Sequence, residues 1–498
     1  MKPRLFLAAL AAAAALVLIA GCGGGSSGSD LAGMAPPETP VFVEGTLRPE
    51  GELKENVDAI AKQVAGVGNL GDLVVEELES KAHGEGEPVD FAKEVEPWLG
   101  ERGAVFFERL EGENLTGTGV IVESTDTEAT REFIAKHKKN LEGEVAGVVG
   151  DFFVIAEDQK LFKEVEEASE GEALGDEDSF TNAISAATDG SLADVYVDVG
   201  QLIDQGGGRI DPTVRELLQN AGIDPSEATA VASIVPGSEQ VAVELSSDLG
   251  GQEAPTGDAS GLLGELPGNA FAGFAVTGFG EQLKELIDSL DEKGIPGTVP
   301  PNQLKKGLKE VGIDLEGIAG SLQDAALFAS GSGKSSLGGA LVLSTKGSQA
   351  QKAIANIGLL LRQVHVAGVT ALSGKYSGFS IHSEELGSKP LVVAAKEGRL
   401  AIGYGLPATL NGLVSEAGNS KTLSEDPAYE DAVSSLGDTP ISGFADGRAA
   451  LKLAEALVPG SDEGFQKAKK YLKSISFLAL GSASQGELAT AKLIVGLK

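Results

Sequence analysis

The chain has 498 residues, 42 % hydrophobic and 23 % charged, a globular composition that excludes wholesale disorder. Seventy-four acidic residues against 39 Lys and Arg give a net charge of −35, a field that repels phosphate backbones and excludes nucleic acid as an expected partner. A single Cys excludes a disulfide framework and a Cys-based metal site.

The N-terminus reads as an address. Lys2 and Arg4 precede an apolar segment from Leu5 to Ile19, which is short for a spanning helix and right for a signal peptide. The segment ends in Ile19-Ala20-Gly21-Cys22, which resembles a bacterial lipobox. The resemblance implies a lipoprotein signal peptide over 1–21, cleavage before Cys22 and a diacylglycerol thioether on its thiol. Residues 22–40 are rich in Gly, Ser and Pro and are expected to be a flexible tether.

Two stretches of the remaining chain look alike. Trp98-Leu99-Gly100, Ala104–Phe107, Gly119–Val122, Ser124-Thr125 and a helix through Ala129 and Ile134 form the first. Ile318-Ala319-Gly320, Ala325–Phe328, Ala340–Leu343, Ser344-Thr345 and a helix through Ala350 and Ile354 form the second, at an offset of 220 or 221 residues. Each stretch is preceded by an apolar strand (Val41–Glu44, Phe271–Val276) and followed by a strand pair (Ala230–Val235 with Val241–Leu245, Ile475–Leu480 with Ala489–Val495). The spacing predicts two homologous domains, 41–249 and 266–498, joined by a breaker-rich linker over 250–265. Acidity is concentrated in the first: residues 22–250 hold 15 basic and 48 acidic side chains, residues 251–498 hold 22 and 26.

Short alternating runs predict strands over 103–110, 118–124, 151–156 and 193–199. Thr125 to Glu128 reads as a capping box for a helix ending at Lys136-His137-Lys138-Lys139. Pro212 and Pro427 read as first helical residues. Short turns between strands argue antiparallel pairing. The expected class is α+β: two tandem domains, each a mainly antiparallel sheet with helices largely on one face.

Several constellations bear on chemistry. Ser330-Gly331-Ser332-Gly333-Lys334-Ser335 resembles the end of a phosphate loop, but Phe328 stands where the first Gly belongs and strands flank it, so a hairpin turn is expected and no nucleotide. Gly24-Gly25-Ser26-Ser27-Gly28 spells a nucleophile elbow without a strand before it. The acidic run from Glu164 to Asp178 lacks calcium-loop spacing and reads as a solvated helix face. Lys136, Lys138 and Lys139 suit the negative end of a helix dipole. His365 and His382 have no second His nearby. Trp98 reads as a core plug with its indole N–H bonded.

The opening Pro37-Glu38-Thr39-Pro40-Val41-Phe42-Val43, the later Pro97-Trp98-Leu99-Gly100 and the strand after it resemble family 3352 of the domains of unknown function. The resemblance implies an envelope-attached bacterial protein and assigns no activity and no functional residues. The expectation is a non-catalytic lipoprotein on the extracytoplasmic face of the cell membrane, held by acyl groups on Cys22, with a binding or scaffolding role toward a lipid or envelope protein and with no cofactor, metal or catalytic residue. Alternatives are a carrier of a lipid or other apolar ligand, and a carboxylate-dependent hydrolase of cell-wall polymer.

Overall fold

The computed structural model describes residues 30–64, 66, 89–111, 114–138, 143–205, 228–248, 257–294, 298–346, 349–363, 365–396, 398–413, 421–458, 460, 462–485 and 488–498. The signal segment, Cys22, the Gly24–Gly28 string, His83, Lys139 and the helix expected after Pro212 lie outside the described residues.

The fold is α+β. Its strands are β1 (Val41–Thr46), β2 (Leu99–Glu111), β3 (Asn114–Ser124), β4 (Val145–Val149), β5 (Phe152–Ala156), β6 (Ala193–Asp198), β7 (Thr229–Pro236), β8 (Gln240–Asp248), β9 (Ala270–Val276), β10 (Leu322–Ser330), β11 (Gly338–Thr345), β12 (Val369–Ala371), β13 (Ser377–Ile381), β14 (Leu391–Lys396), β15 (Arg399–Tyr404), β16 (Ile441–Asp446), β17 (Ile475–Gln485) and β18 (Leu488–Leu497). By hydrogen-bond connectivity the 18 strands count as one sheet, where a separate sheet per domain was expected. The chain divides into two compact units, and β17 spans one of the points of division. The division falls between 255 and 256 and again between 482 and 483.

The first unit holds β1–β8 together with β18. Its strands pair antiparallel in the order β4, β5, β3, β2, β1, β6, β7, β8, β18. The second unit pairs in the order β12, β13, β14, β15, β11, β10, β9, β16, β17.

Helices do not keep to one face. In the first unit Phe42, Ala104, Phe106, Ile121, Val154 and Tyr196 point to one side, into a core with the helices Gln159–Glu170 and Asp178–Ile184. Val105, Val120, Val122, Phe153 and Ile155 point to the other, against Trp98 and the helix Thr127–His137. The cause is in the strands. Ala104-Val105-Phe106-Phe107 and Phe152-Phe153-Val154-Ile155 are apolar at consecutive positions, so both pleat faces need cover.

Residues 31–39, expected to belong to the tether, are part of the folded unit. Leu31, Ala32, Met34 and Ala35 are buried in the first of these cores, and the buried Thr39 hydroxyl donates to the Pro36 carbonyl at 2.6 Å. Two large apolar side chains, Leu31 and Met34, and two alanines in that stretch seat it. The helix predicted at Thr125 starts one residue later than the capping-box reading: Asp126 accepts from the N–H groups of Glu128 and Ala129. Asp426 caps the helix Pro427–Leu436 with Pro427 at its first position.

Candidate functional site

One face of the second unit's sheet is built in two parts. On its upper rows Ala325, Leu343, Leu400 and Ala395 lie under the helix Gln349–Gln363, with Phe279 and Leu283 of the helix Phe279–Lys293 packed against the same core. Two residues further down, that cover thins: Leu341 and Ile402 still pack against the same core, while Phe274 and Leu327 are exposed. Cross-strand register then sets Leu480, Gly443, Phe274, Leu327, Leu341 and Ile402 side by side in one row. The next row on the same face is Leu478, Ala445, Ala272, Ala329, Gly339, Tyr404 and Leu391. Both rows cross six strands or more at about 4.8 Å each, a span of roughly 25 Å.

The second row makes a shallow trough. Its four central residues are Ala445, Ala272, Ala329 and Gly339, between the larger Leu478 and Tyr404. A Cβ at Gly443 would meet Leu480 and Phe274 at 3.2 and 3.3 Å, so glycine there lets these two side chains close over the strand. Leu327 is 56 % exposed and Phe274 44 %. Around Leu327, Ala329, Leu341, Ile402 and Tyr404 the trough deepens into an open pocket of about 390 Å³. Leaving such side chains in water costs about 25 cal/mol per Å² of apolar surface, so exposing Phe274, Leu327, Leu478 and Tyr404 on one face calls for a use.

Exposure of this kind is uneven along the chain. Of the 18 large hydrophobic residues exposed among those described, 15 lie in the second unit, the one with little net charge. Sequence reading misses the trough because its members come from seven separate strands. The available signal is the unbroken apolar runs Phe271–Val276 and Ala325–Phe328, which show no polar face to give to solvent.

The residues singled out by sequence sit elsewhere and are not brought together. Ser330 to Ser335 join β10 to β11 in an antiparallel hairpin, with Gly331 at φ +116°. No helix follows to aim amides at a phosphate. Glu164 and Glu167 of the acidic run lie on a helix and pair with Lys160 and Lys163, each at 2.6 Å. His365 and His382 are exposed, in the second unit.

Trp98 is 2 % exposed, with ring centroids of Phe133 and Phe153 at 5.5 and 5.3 Å. Its indole N–H donates to the Glu94 carbonyl at 2.6 Å.

Beside it, the Glu94 carboxylate accepts from Lys136 Nζ and lies against His137 Nε2, both at 2.6 Å from Oε2. Lys136 is therefore in use as a clasp as well as a dipole partner. The Lys136 ammonium first, and His137 second, hold the Glu94 carboxyl down to about 2 from the usual 4.5. A depressed carboxyl gives stability that is complete above its unfolded pKa and lost as pH falls through the folded one. Unfolding stability is expected to drop between about pH 5 and pH 2, by about 1.5 kcal/mol from this group. Glu94→Gln should remove that part of the slope in acid titrations of urea midpoints. An unchanged slope would refute the clasp.

A second buried acid went unnoticed in the sequence. Asp194 of β6 accepts from Ser233 Oγ at 2.6 Å and Ser191 Oγ at 2.7 Å, and burial pushes its carboxyl up. Both oxygens are occupied in pinning the turn at 188–191 to β7, with the Thr188 N–H on Ser233 Oγ at 2.9 Å, which is a structural task.

Among the described residues no group of His, Cys, Asp and Glu is arranged to hold a metal, and no helix is long and apolar enough to cross a membrane. Comparison with protein-family models, curated proteins and solved structures gives no match. The resemblance to family 3352 of the domains of unknown function therefore rests on its motif residues alone.

Proposed function

We propose that the chain is a non-catalytic lipoprotein of the bacterial cell envelope, anchored through Cys22 on the extracytoplasmic face, that binds an extended apolar ligand along the trough of its second unit. The observation that carries the binding reading is the register of small residues, Ala272, Ala329, Gly339 and Ala445, beside the exposed Phe274 and Leu327. Small residues in line make room, and exposed large ones give a ligand something to cover. An acyl or prenyl chain fits a groove of this length and polarity at about 0.8 kcal/mol per buried methylene.

The reading extends to the two halves, which we take as copies of one domain. The order β4, β5, β3, β2, β1, β6, β7 in the first unit is matched by β14, β15, β11, β10, β9, β16, β17 in the second. Details repeat as well. The N–H groups of Leu174 and Leu423 donate to the carbonyls of Ala35 and Leu266, at 3.0 and 2.7 Å. Phe180 meets Tyr196 edge-on at 5.0 Å, and Tyr429 meets Phe444 at 5.3 Å, with the two ring types exchanged. Asp198 and Asp446 each end a strand and accept an N–H from the following helix. One copy has both faces covered, and the other has kept part of a face open for a ligand.

The test is titration of the full chain with a fluorescent fatty acid. Saturable binding is expected, weakened more than tenfold by Leu327→Asp, which alters an exposed side chain and leaves folding alone. Ala329→Leu should act likewise by filling the floor. No saturable binding, or equal binding by both variants, would sink the proposal.

A further inference from the structure

The helix Glu463–Leu472 has no buried residue along its ten positions. It is amphipathic all the same. At 100° per residue Phe465, Ala468, Tyr471 and Leu472 share one side. Phe465 and Lys469 are its half-buried positions, and Lys469 pairs with Glu455 of the helix Gly447–Leu457 at 2.8 Å. That contact fixes which side faces the protein. Leu472 follows Phe465 around the helix, while Tyr471 is turned away from the protein and is 42 % exposed. Lys467 lies next to Tyr471 around the helix, and Lys470 Nζ stands 4.5 Å from the centre of the Tyr471 ring. A solvent-facing helix of a very acidic protein has no local need for lysines beside an uncovered Tyr and Leu. Residues 463–473 hold four Lys and one acidic residue, against a chain at −35.

We propose that this helix is a contact with an anionic lipid surface. The Tyr471 ring would enter the headgroup boundary while Lys467 and Lys470, on the same outward face, meet lipid phosphates. The strongly acidic residues 22–250 are repelled by such a surface. At physiological salt that repulsion fades within about 8 Å, so a cationic patch acts on what it touches. The proposal concerns a different surface from the trough and stands whether or not the trough takes a ligand.

The experiment uses the chain from residue 23 onward, so that neither the apolar leader nor acyl groups on Cys22 can carry it to the membrane. Co-sedimentation is measured with phosphatidylcholine vesicles, with and without phosphatidylglycerol. Binding is expected only with the anionic lipid, and falling with added salt. K467E/K470E should lower it roughly tenfold or more, at about 1 kcal/mol for each lysine near the surface. Tyr471→Ser should weaken it with the charges kept. The thermal midpoint of each variant should match the parent, since the substituted side chains are exposed. Equal binding to neutral vesicles, no binding to either, or an unaffected double variant overturns the proposal. A loss of binding together with a lowered midpoint is met by the Tyr471→Ser result: retained binding there overturns it too.

Discussion

Trp98→Ala is expected to destabilise the first unit by about 3–5 kcal/mol, the usual cost of emptying a buried aromatic site. The side chain is 2 % exposed and lies between Phe133 and Phe153, which also meet each other at 6.2 Å. Removing the indole leaves a void that the two phenyl rings, held on a helix and a strand, cannot close. It also leaves the Glu94 carbonyl without its 2.6 Å donor, next to the carboxylate clasp on Lys136. Trp98→Phe keeps most of the volume and loses the hydrogen bond, so about 1 kcal/mol is expected. Urea unfolding followed by circular dichroism measures both. A cost below about 1 kcal/mol for the alanine variant would mean the site collapses freely, against the packing described here. As the only Trp in the chain, Trp98 also makes fluorescence a local probe of its own unit.

Removal of residues 483–498 is expected to be as damaging, and to a part of the sequence far from the cut. β18 pairs with β8 over nine residues, from Leu488 opposite Asp248 to Gly496 opposite Gln240. Ile494 and Leu497 are 0 % and 4 % exposed, and Lys492 reaches Glu244 at 2.7 Å. Deletion removes two core side chains at about 2–5 kcal/mol each and strips the outer edge of β8 of its partner. Limited proteolysis of the truncated chain should cut first within residues 30–248, and the protein should aggregate on warming. If residues 30–248 stay as resistant as in the full chain, β18 is dispensable and the division of the units is misjudged.

Much of the fold was legible because it is local. Hairpins such as Ala395 to Leu400, the Asp426-Pro427 start and the Trp98 plug each announce themselves within a few residues. β4 did not, since Val145-Ala-Gly-Val-Val is short and merges with β5 but for the turn at Gly150, φ +57°. The burial of Leu31 to Ala35 was hidden by the Gly, Ser and Pro around them. Helices on both faces could have been foreseen from the doubly apolar strands, which were read as strands without asking what their second face required. The trough could not, because neighbours across a sheet are set by register among strands that lie up to two hundred residues apart in sequence. The pairing of β18 with β8 was missed for the same reason: the sequence points to β18 as the partner of β17, and β8 lies far from both along the chain.

That partner choice has a consequence in time. β8 and β18 start 248 residues apart. At about 5–20 residues per second a ribosome needs roughly 12–50 s to travel between them. Throughout that interval the earlier-made unit waits with an open strand edge, while residues 256 to 482 of the later one are made and completed before β18 emerges. The half that is made first is thus the half that finishes last. A cell making this chain must keep a nearly complete, sticky sheet from meeting other nascent chains until the closing strand arrives.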